Sequence, residues 1–329
     1  MNLAVVTGAA GFIGSAVVRE LIRRDVRVRA VIEPGANVQN LDGLAIDRVT
    51  ADVRDHEAMV RALNGADTLY HLAAIYRVWL EDPTPLWSVN IDGTVATLLA
   101  AQKTGVKRVV YTSSISALGM RADGQPSDET TPFNLWPFAN DYIQSKFVSD
   151  NIALDFARAG LPLVVVLPGF PFGPRDTAPT PTGGIVLSIL KGEIFALSAG
   201  GFSAIDVDDC GTGHVLAAEK GRVSERYILS NHNVSFSDFT RLVCRVAGKK
   251  APRVTIPPSV VRGASAGFEW WSDHVSKKPP IATYKSTQYM QRQVFFSNSK
   301  AQQELGLPCT PLETSITRAI EWFKENGRV

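Results

Sequence analysis

The sequence predicts an α/β fold built on a doubly wound parallel sheet, and three observations point to it. Apolar runs of strand length alternate with apolar residues at helical spacing from Asn2 to Gly160. Gly8, Gly11 and Gly14 stand between the first strand and the first helix in the spacing G-x-x-G-x-x-G. The chain has 329 residues, 45% hydrophobic and 20% charged, which suits one large or two ordinary globular domains with a proper core.

The opening stretch, Asn2 to Gly14, reads as strand, tight turn and helix start. Its glycines let the backbone turn sharply and leave no side chain between a helix N-terminus and a pyrophosphate, so a dinucleotide fits there, beside the backbone of Phe12 and Ile13. A plain turn is the other reading of three glycines. Ala16, Val17, Val18, Leu21 and Ile22 then recur at helical spacing, and Asp25 leads into an alternating strand, Val26 to Ile32. Glu33 follows nineteen residues after Gly14, where a carboxylate accepts hydrogen bonds from an adenosine ribose. It favours NAD(H), while the nearby Arg29 leaves NADP(H) possible. The plainer reading of Glu33 is a solvated loop carboxylate.

A short strand, Asp47 to Ala51, precedes Asp52-Val53-Arg54-Asp55 and a helix from His56 to Leu63 that Asp55 caps. Asp52 ends a strand, where ligands bind in open parallel sheets, and can accept from an adenine amino group with Val53 beside it. The buried strand Thr68 to Leu72 opens into Ala73 and Ala74, small residues that let the backbone at Leu72, Ala73 and Ala74 approach a cofactor. A helix over Leu86 to Thr104 and a strand over Arg108 to Thr112 follow, with Thr112, Ser113 and Ser114 at the strand's end. Tyr142 and Lys146 stand four apart in a helix that ends at Gly160, so they share a face. On their own they read more readily as a surface pair. Hydride transfer to a carbonyl builds negative charge on oxygen, so a hydroxyl donor must be poised there, and a tyrosine of pKa about 10 needs a neighbouring cation to serve.

The net charge is +2, from 34 basic and 32 acidic residues, which provides no field for nucleic acid or an anionic membrane. A small-molecule partner is expected. Cys210, Cys244 and Cys309 show no C-x-x-C spacing, so neither a disulfide framework nor a metal site is indicated. No apolar run reaches the roughly 18 residues of a membrane span, and a cytoplasmic enzyme is the expectation.

With TGAAGFIG, DVRD, HLAA, VNIDGT, YTSS and YIQSK in that order, the chain resembles the extended short-chain dehydrogenase/reductases, over Asn2 to about Gly173. The resemblance implies a Rossmann-type domain over 1–172, with 205–220 returning to it, and a smaller interleaved C-terminal substrate domain formed mainly by 173–204 and 221–329. It implies Tyr142 as catalytic acid/base, Lys146 lowering its pKa and holding the ribose, Ser114 orienting the substrate oxygen, Pro168 to Phe170 lining the nicotinamide, and a homodimer. Ser114 is preferred to Ser113 because it lies five residues before Gly119. Within that family the chain is most similar to the dihydroflavonol reductase-like group, which includes proteins named hopanoid-associated sugar epimerases. The likeness rests on Ile75 to Trp79, Asp82-Pro83, Pro179 to Gly183 and Ile205 to Asp209. Glu33 departs from that group's usual arginine, and the Trp270-Trp271 region does not align with it.

Two enzyme readings share the tyrosine and lysine: a reductase or dehydrogenase of a small apolar carbonyl or alcohol, and a nucleotide-sugar epimerase or dehydratase. A pyrophosphate substrate needs facing cations. Phe202 stands where sugar-nucleotide members typically carry an arginine, and Leu167 replaces another, which leaves Arg175 as the anion candidate. Tyr76, Trp79, Trp136, Phe138, Phe170 and Phe172 suit an apolar substrate, core packing being the plain alternative. A non-catalytic cofactor-binding regulator is the reading from another class.

Overall fold

The computed structural model describes residues 2–278, 280 and 282–329. Met1, Pro279 and Ile281, which the expected domain ranges include, lie outside the described residues. Strand β1 (Leu3–Thr7) is buried at every position, and helix α1 (Phe12–Arg23) turns Ala16, Val17, Val18 and Leu21 inward. Strands β2 (Arg27–Ile32) and β3 (Asp47–Thr50) follow, then α2 (His56–Leu63), where the Asp55 side chain accepts from Ala58 N at 2.9 Å as a helix cap.

After β4 (Thr68–His71), the helix expected over Leu86 to Thr104 is interrupted. Helix α3 (Thr84–Trp87) passes through a π-helical turn at Ser88–Asp92 into α4 (Gly93–Thr104). The extra residue of a π turn rotates the side chains that follow. Here the turn contains the buried Asn90. Strand β5 (Arg108–Thr112) precedes α5 (Asp141–Arg158), which Asn140 caps by accepting from Ile143 N at 3.0 Å.

Strands β6 (Leu163–Pro168) and β9 (Arg226–Leu229) complete a seven-stranded sheet in the order β3-β2-β1-β4-β5-β6-β9, every pair parallel. The sequence reading placed 221–329 mainly in the smaller unit, but Arg226–Leu229 pairs with Val165–Pro168 and belongs to the large sheet. Conversely β7 (Phe170–Phe172), expected within the first domain, pairs with β8 (Gly201–Asp206). Around β8 a second sheet adds β10 (His232–Ser235) and β11 (Gln293–Val294).

Helices α6 (Pro181–Lys191) and α8 (Phe236–Val246) and the C-terminal Leu312–Glu325 enclose a separate core of Phe172, Phe202, Phe239, Ile316 and Phe323. Between them in the chain come α7 (Val207–Lys220), α9 (Pro258–Trp271) and α10 (Tyr284–Met290), and the C-terminal helix is α11. Helix α7 returns to the large sheet against α1. The two backbones approach so closely that a Cβ at Gly211 would lie 2.8 Å from the Ala16 carbonyl carbon. Strand order reverses between β1 and β4, and the carboxyl ends of those strands open onto the crevice where doubly wound sheets bind ligands.

Candidate functional site

A single cavity of about 1140 Å³ runs from the glycine turn, across the strand ends, to the surface of the smaller sheet. At one end the turn is built for close approach. Gly8 has φ +63, and a Cβ there would meet Ala73 N at 2.8 Å, while one on Gly14 would meet Gly8 O at 2.1 Å. Gly11 starts α1 with no side-chain cap, so the first-turn amides of Phe12, Ile13 and Gly14 are left for an anion. Thr7 fixes the opposite wall, its Oγ1 accepting from Leu72 N at 3.1 Å and Ala73 N at 3.2 Å and pairing with His71 Nδ1 at 2.8 Å. Burial pulls His71 down to about 3, so the ring stays neutral. Leu72, Ala73 and Ala74 all line the cavity, and this cradle fits a dinucleotide pyrophosphate.

Glu33, Asp52 and Val53 line the same cavity at the ends of β2 and β3. Asp52 is held by Arg54 with Nη2 to Oδ2 at 2.6 Å, which keeps its carboxyl below the usual range. Arg29 is engaged away from the cavity. Its Nη1 donates to the carbonyls of Ala62 at 2.7 Å and Asn64 at 2.9 Å, and it lies outside the cavity wall.

At the centre stand Tyr142, Lys146, Ser114 and Thr112, with Pro168 and Phe170 opposite. Ser114 Oγ accepts from Ser116 Oγ at 2.9 Å and Ser116 N at 3.2 Å, which leaves its own proton to donate. Burial pushes the Tyr142 phenol up to about 12, and the hydrogen bond from Ser114 pulls the other way. Lys146 Nζ donates to Thr112 O at 2.7 Å and sits 5.2 Å above the Tyr111 ring, and burial draws its pKa down to about 8 against the pull of Asp150. Thr112 Oγ1 in turn pairs with His214 Nε2 at 3.1 Å.

Of the aromatic residues expected at the substrate end, Tyr76 and Phe170 line the cavity. The others do not, and each has a partner elsewhere. Trp79 Nε1 donates to Asp273 Oδ1 at 3.1 Å. Phe172 is buried in the smaller core, 4.8 Å from the Phe239 ring centroid. Trp136 is 54% exposed against Phe133 and Phe147, and Phe138 packs under Arg292 at 4.0 Å. Arg175, the expected anion ligand, pairs with Asp208, itself bound by Arg318, and lies off the cavity wall.

Comparison with known proteins gives the family of the chain. The profile of the NAD dependent epimerase/dehydratase family matches residues 4–230. The chain belongs to this family. It is 34% identical over 331 residues to a putative dihydroflavonol 4-reductase of Synechocystis sp., covering 98% of this chain and 95% of that one. The crystal structure of gox2253 superposes with a TM-score of 0.89 at 37% identity over all of both chains. That of a nucleoside-diphosphate-sugar epimerase from Pseudomonas aeruginosa, PA4631, gives 0.84 at 27% identity over 99% of each. The enzyme is thus an NAD(P)-dependent oxidoreductase of the extended short-chain type.

Sequence reasoning passed over other residues that this family member brings to the site. Asn90 Oδ1 accepts from Ile75 N at 2.8 Å while its Nδ2 donates to Ile75 O at 3.2 Å and Ser145 Oγ at 3.0 Å, clamping the segment that carries Tyr76 to α5. A buried amide inside a helix was the available signal. Asp176 lines the cavity with its carboxyl raised to about 6 by burial, accepting from Thr180 N and Oγ1. Its neighbour Arg175 drew attention instead, because a cation is the expected partner of a phosphate. Among the described lining residues the cations are Lys146 and Arg77, the latter exposed.

Proposed function

We propose that the protein reduces the carbonyl of a small, largely apolar substrate, or oxidises the corresponding alcohol, with Tyr142 as proton donor, Ser114 as the second contact to the reacting oxygen and Lys146 as the ribose-holding cation. A bound nicotinamide supplies or accepts the hydride. Tyr142 carries the proton that balances charge on oxygen, and Ser114, whose proton is directed at the Tyr142 phenol, gives the second contact to that oxygen.

The observation that carries the choice of substrate is the composition of the cavity beyond Tyr142. Its wall there includes Phe170, Ile185, Ile194, Phe236, Val261 and Met290, and Arg77 is its cation. A sugar nucleotide would bring two phosphate charges to a wall with one exposed guanidinium among the described residues. Arg175 is neutralised by Asp208 and Phe202 is fully buried, so neither position offers the missing charge. NAD(H) is the preferred cofactor on this reading, because Glu33 faces the ribose end of the cavity while Arg29 is committed to backbone carbonyls and Arg54 to Asp52. A homodimer through α4 and α5 is part of the same reading, and Leu99 of α4 is 43% exposed there.

The test is a screen of aldehydes, ketones and alcohols against sugar nucleotides, following nicotinamide absorbance for the first set and product epimer for the second. Turnover of apolar carbonyls with no conversion of sugar nucleotides is expected. Efficient epimerisation of a sugar nucleotide would overturn the assignment.

A further inference from the structure

Helix α9 and the π-helical turn Ser272–Ser276 that continues it carry their large apolar side chains outward. Val260, Ala264, Phe268, Trp271 and Val275 recur at helical spacing and form one stripe, in which Val260 is 58% exposed, Phe268 44%, Trp271 55% and Val275 50%. The positions that this segment buries are Ser265 and Ser272. Trp270, also exposed, stands beside the stripe with its ring stacked on that of His274 at 5.1 Å. The segment is anchored all the same. Pro258 O accepts from Gln291 Nε2 at 2.9 Å, Glu269 Oε2 from Tyr284 N at 2.8 Å and Asp273 Oδ1 from Trp79 Nε1 at 3.1 Å. A contiguous apolar stripe held in water by polar anchors marks an interaction surface.

Charge identifies the partner. Lys250 and Arg253 precede the helix, Arg262 lies in it, and Lys277, Lys278 and Lys285 follow, while the acidic residues between Lys250 and Lys285 are Glu269 and Asp273. Among the described residues none of these cations forms an ion pair. The chain's net charge of +2 conceals this local excess, which acidic residues elsewhere offset. Exposed tryptophan and phenylalanine flanked by lysine and arginine is the composition of helices that lie in a bilayer interface. A two-fold contact between copies of this face would instead set the same cations against one another. The face also borders the open edge of the cavity, whose wall includes Val261, Pro280 and Ala282 together with the exposed Arg77 and Val78.

We propose that the α9 face docks the protein on an anionic lipid bilayer, with Phe268, Trp271 and Val275 in the boundary between headgroups and acyl chains and the cations over the headgroups. The inference stands apart from the reductase reading.

The test sediments the full chain with vesicles of phosphatidylcholine alone, or of equal parts phosphatidylcholine and phosphatidylglycerol, at low ionic strength. Binding to the anionic vesicles is expected to be at least about tenfold tighter, and to be lost at roughly 0.5 M salt. Phe268→Ser/Trp271→Ser and Lys277→Glu/Lys278→Glu should each weaken it by about tenfold or more. Their melting temperatures should match that of the wild type, because the replaced side chains are exposed. The headgroup and salt dependence of the wild type is decisive even if a variant unfolds. No binding, equal binding to both vesicles, or folded variants that bind like the wild type would overturn the proposal. A lipid-free dimer that Phe268→Ser/Trp271→Ser splits, with no vesicle binding, would overturn it too and assign the face to a second copy.

Discussion

The ring of Tyr76 lies on that of Tyr142, centroids 4.6 Å apart and planes inclined by 42°. Tyr76 belongs to the segment clamped by Asn90, and Tyr142 to the helix that Asn140 caps, so two separate local structures converge on one contact. The contact shields the phenol from water and is one reason burial raises it to about 12. It also makes Tyr76 a wall of the site in its own right.

Tyr142→Phe removes the proton donor with little change in volume. Turnover is expected to fall by about a hundredfold or more. Cofactor affinity, read by fluorescence titration of NADH, should stay within about twofold of the wild type. Retention of most wild-type turnover under chemistry-limited conditions would show that another group is the acid.

Asn90→Ala leaves the backbone N–H and C=O of Ile75 without their side-chain partner. A cost of about 1–3 kcal/mol in urea unfolding is expected, since unpaired buried polar groups carry a penalty of that size. Activity should fall with it as the wall formed by Tyr76 loosens, while NADH binding at the distant glycine turn is retained. Unchanged stability and kinetics would show that the clamp has no role.

Glu33→Arg exchanges a carboxylate at the ribose end for a cation. Two like charges about 4 Å apart repel by roughly 4 kcal/mol at an effective dielectric near 20, so the proposed NAD(H) reading expects the wild type to disfavour a ribose phosphate. The variant should move the ratio of catalytic efficiencies toward NADPH by at least about tenfold, or roughly 1.4 kcal/mol. Equal use of both cofactors by the wild type would assign the preference elsewhere.

Asp176 gives a pH dependence of defined sign. Its carboxyl is raised by burial from 3.8 to about 6. Below the lower value it is protonated in both states. As pH rises between the two values the unfolded chain releases the proton and the folded protein retains it, so stability falls across that window and then levels off, by about 3 kcal/mol at most. Urea unfolding of the wild type and Asp176→Asn from pH 4 to pH 7 should show that the variant lacks this decline. A parallel pair of curves would place the titration on another group.

Sedimentation at micromolar concentration should give the mass of two chains, and Leu99→Lys on the exposed face of α4 should shift it to one. A monomeric wild type would remove the dimer.

Much of this protein could be read from the chain because the controlling physics is local. The turn after β1 needs residues without side chains, whatever surrounds it, and Gly8 and Gly14 meet that need by conformation and by space. Asp55 marks a helix start because a cap acts within three residues. Tyr142 and Lys146 share a face because a helix repeats every 3.6 residues. The destinations of the remaining side chains were decided by residues far away in sequence. Phe170 and Phe172 lie two apart on one strand, yet the first lines the cavity and the second is sealed into a core by Phe239. Arg175 is taken by Asp208, Trp79 by Asp273 and Arg29 by two carbonyls at the end of α2. Those partners lie tens of residues from the groups they bind, and a charge or ring is free for ligand only when the folded chain has left it without a partner.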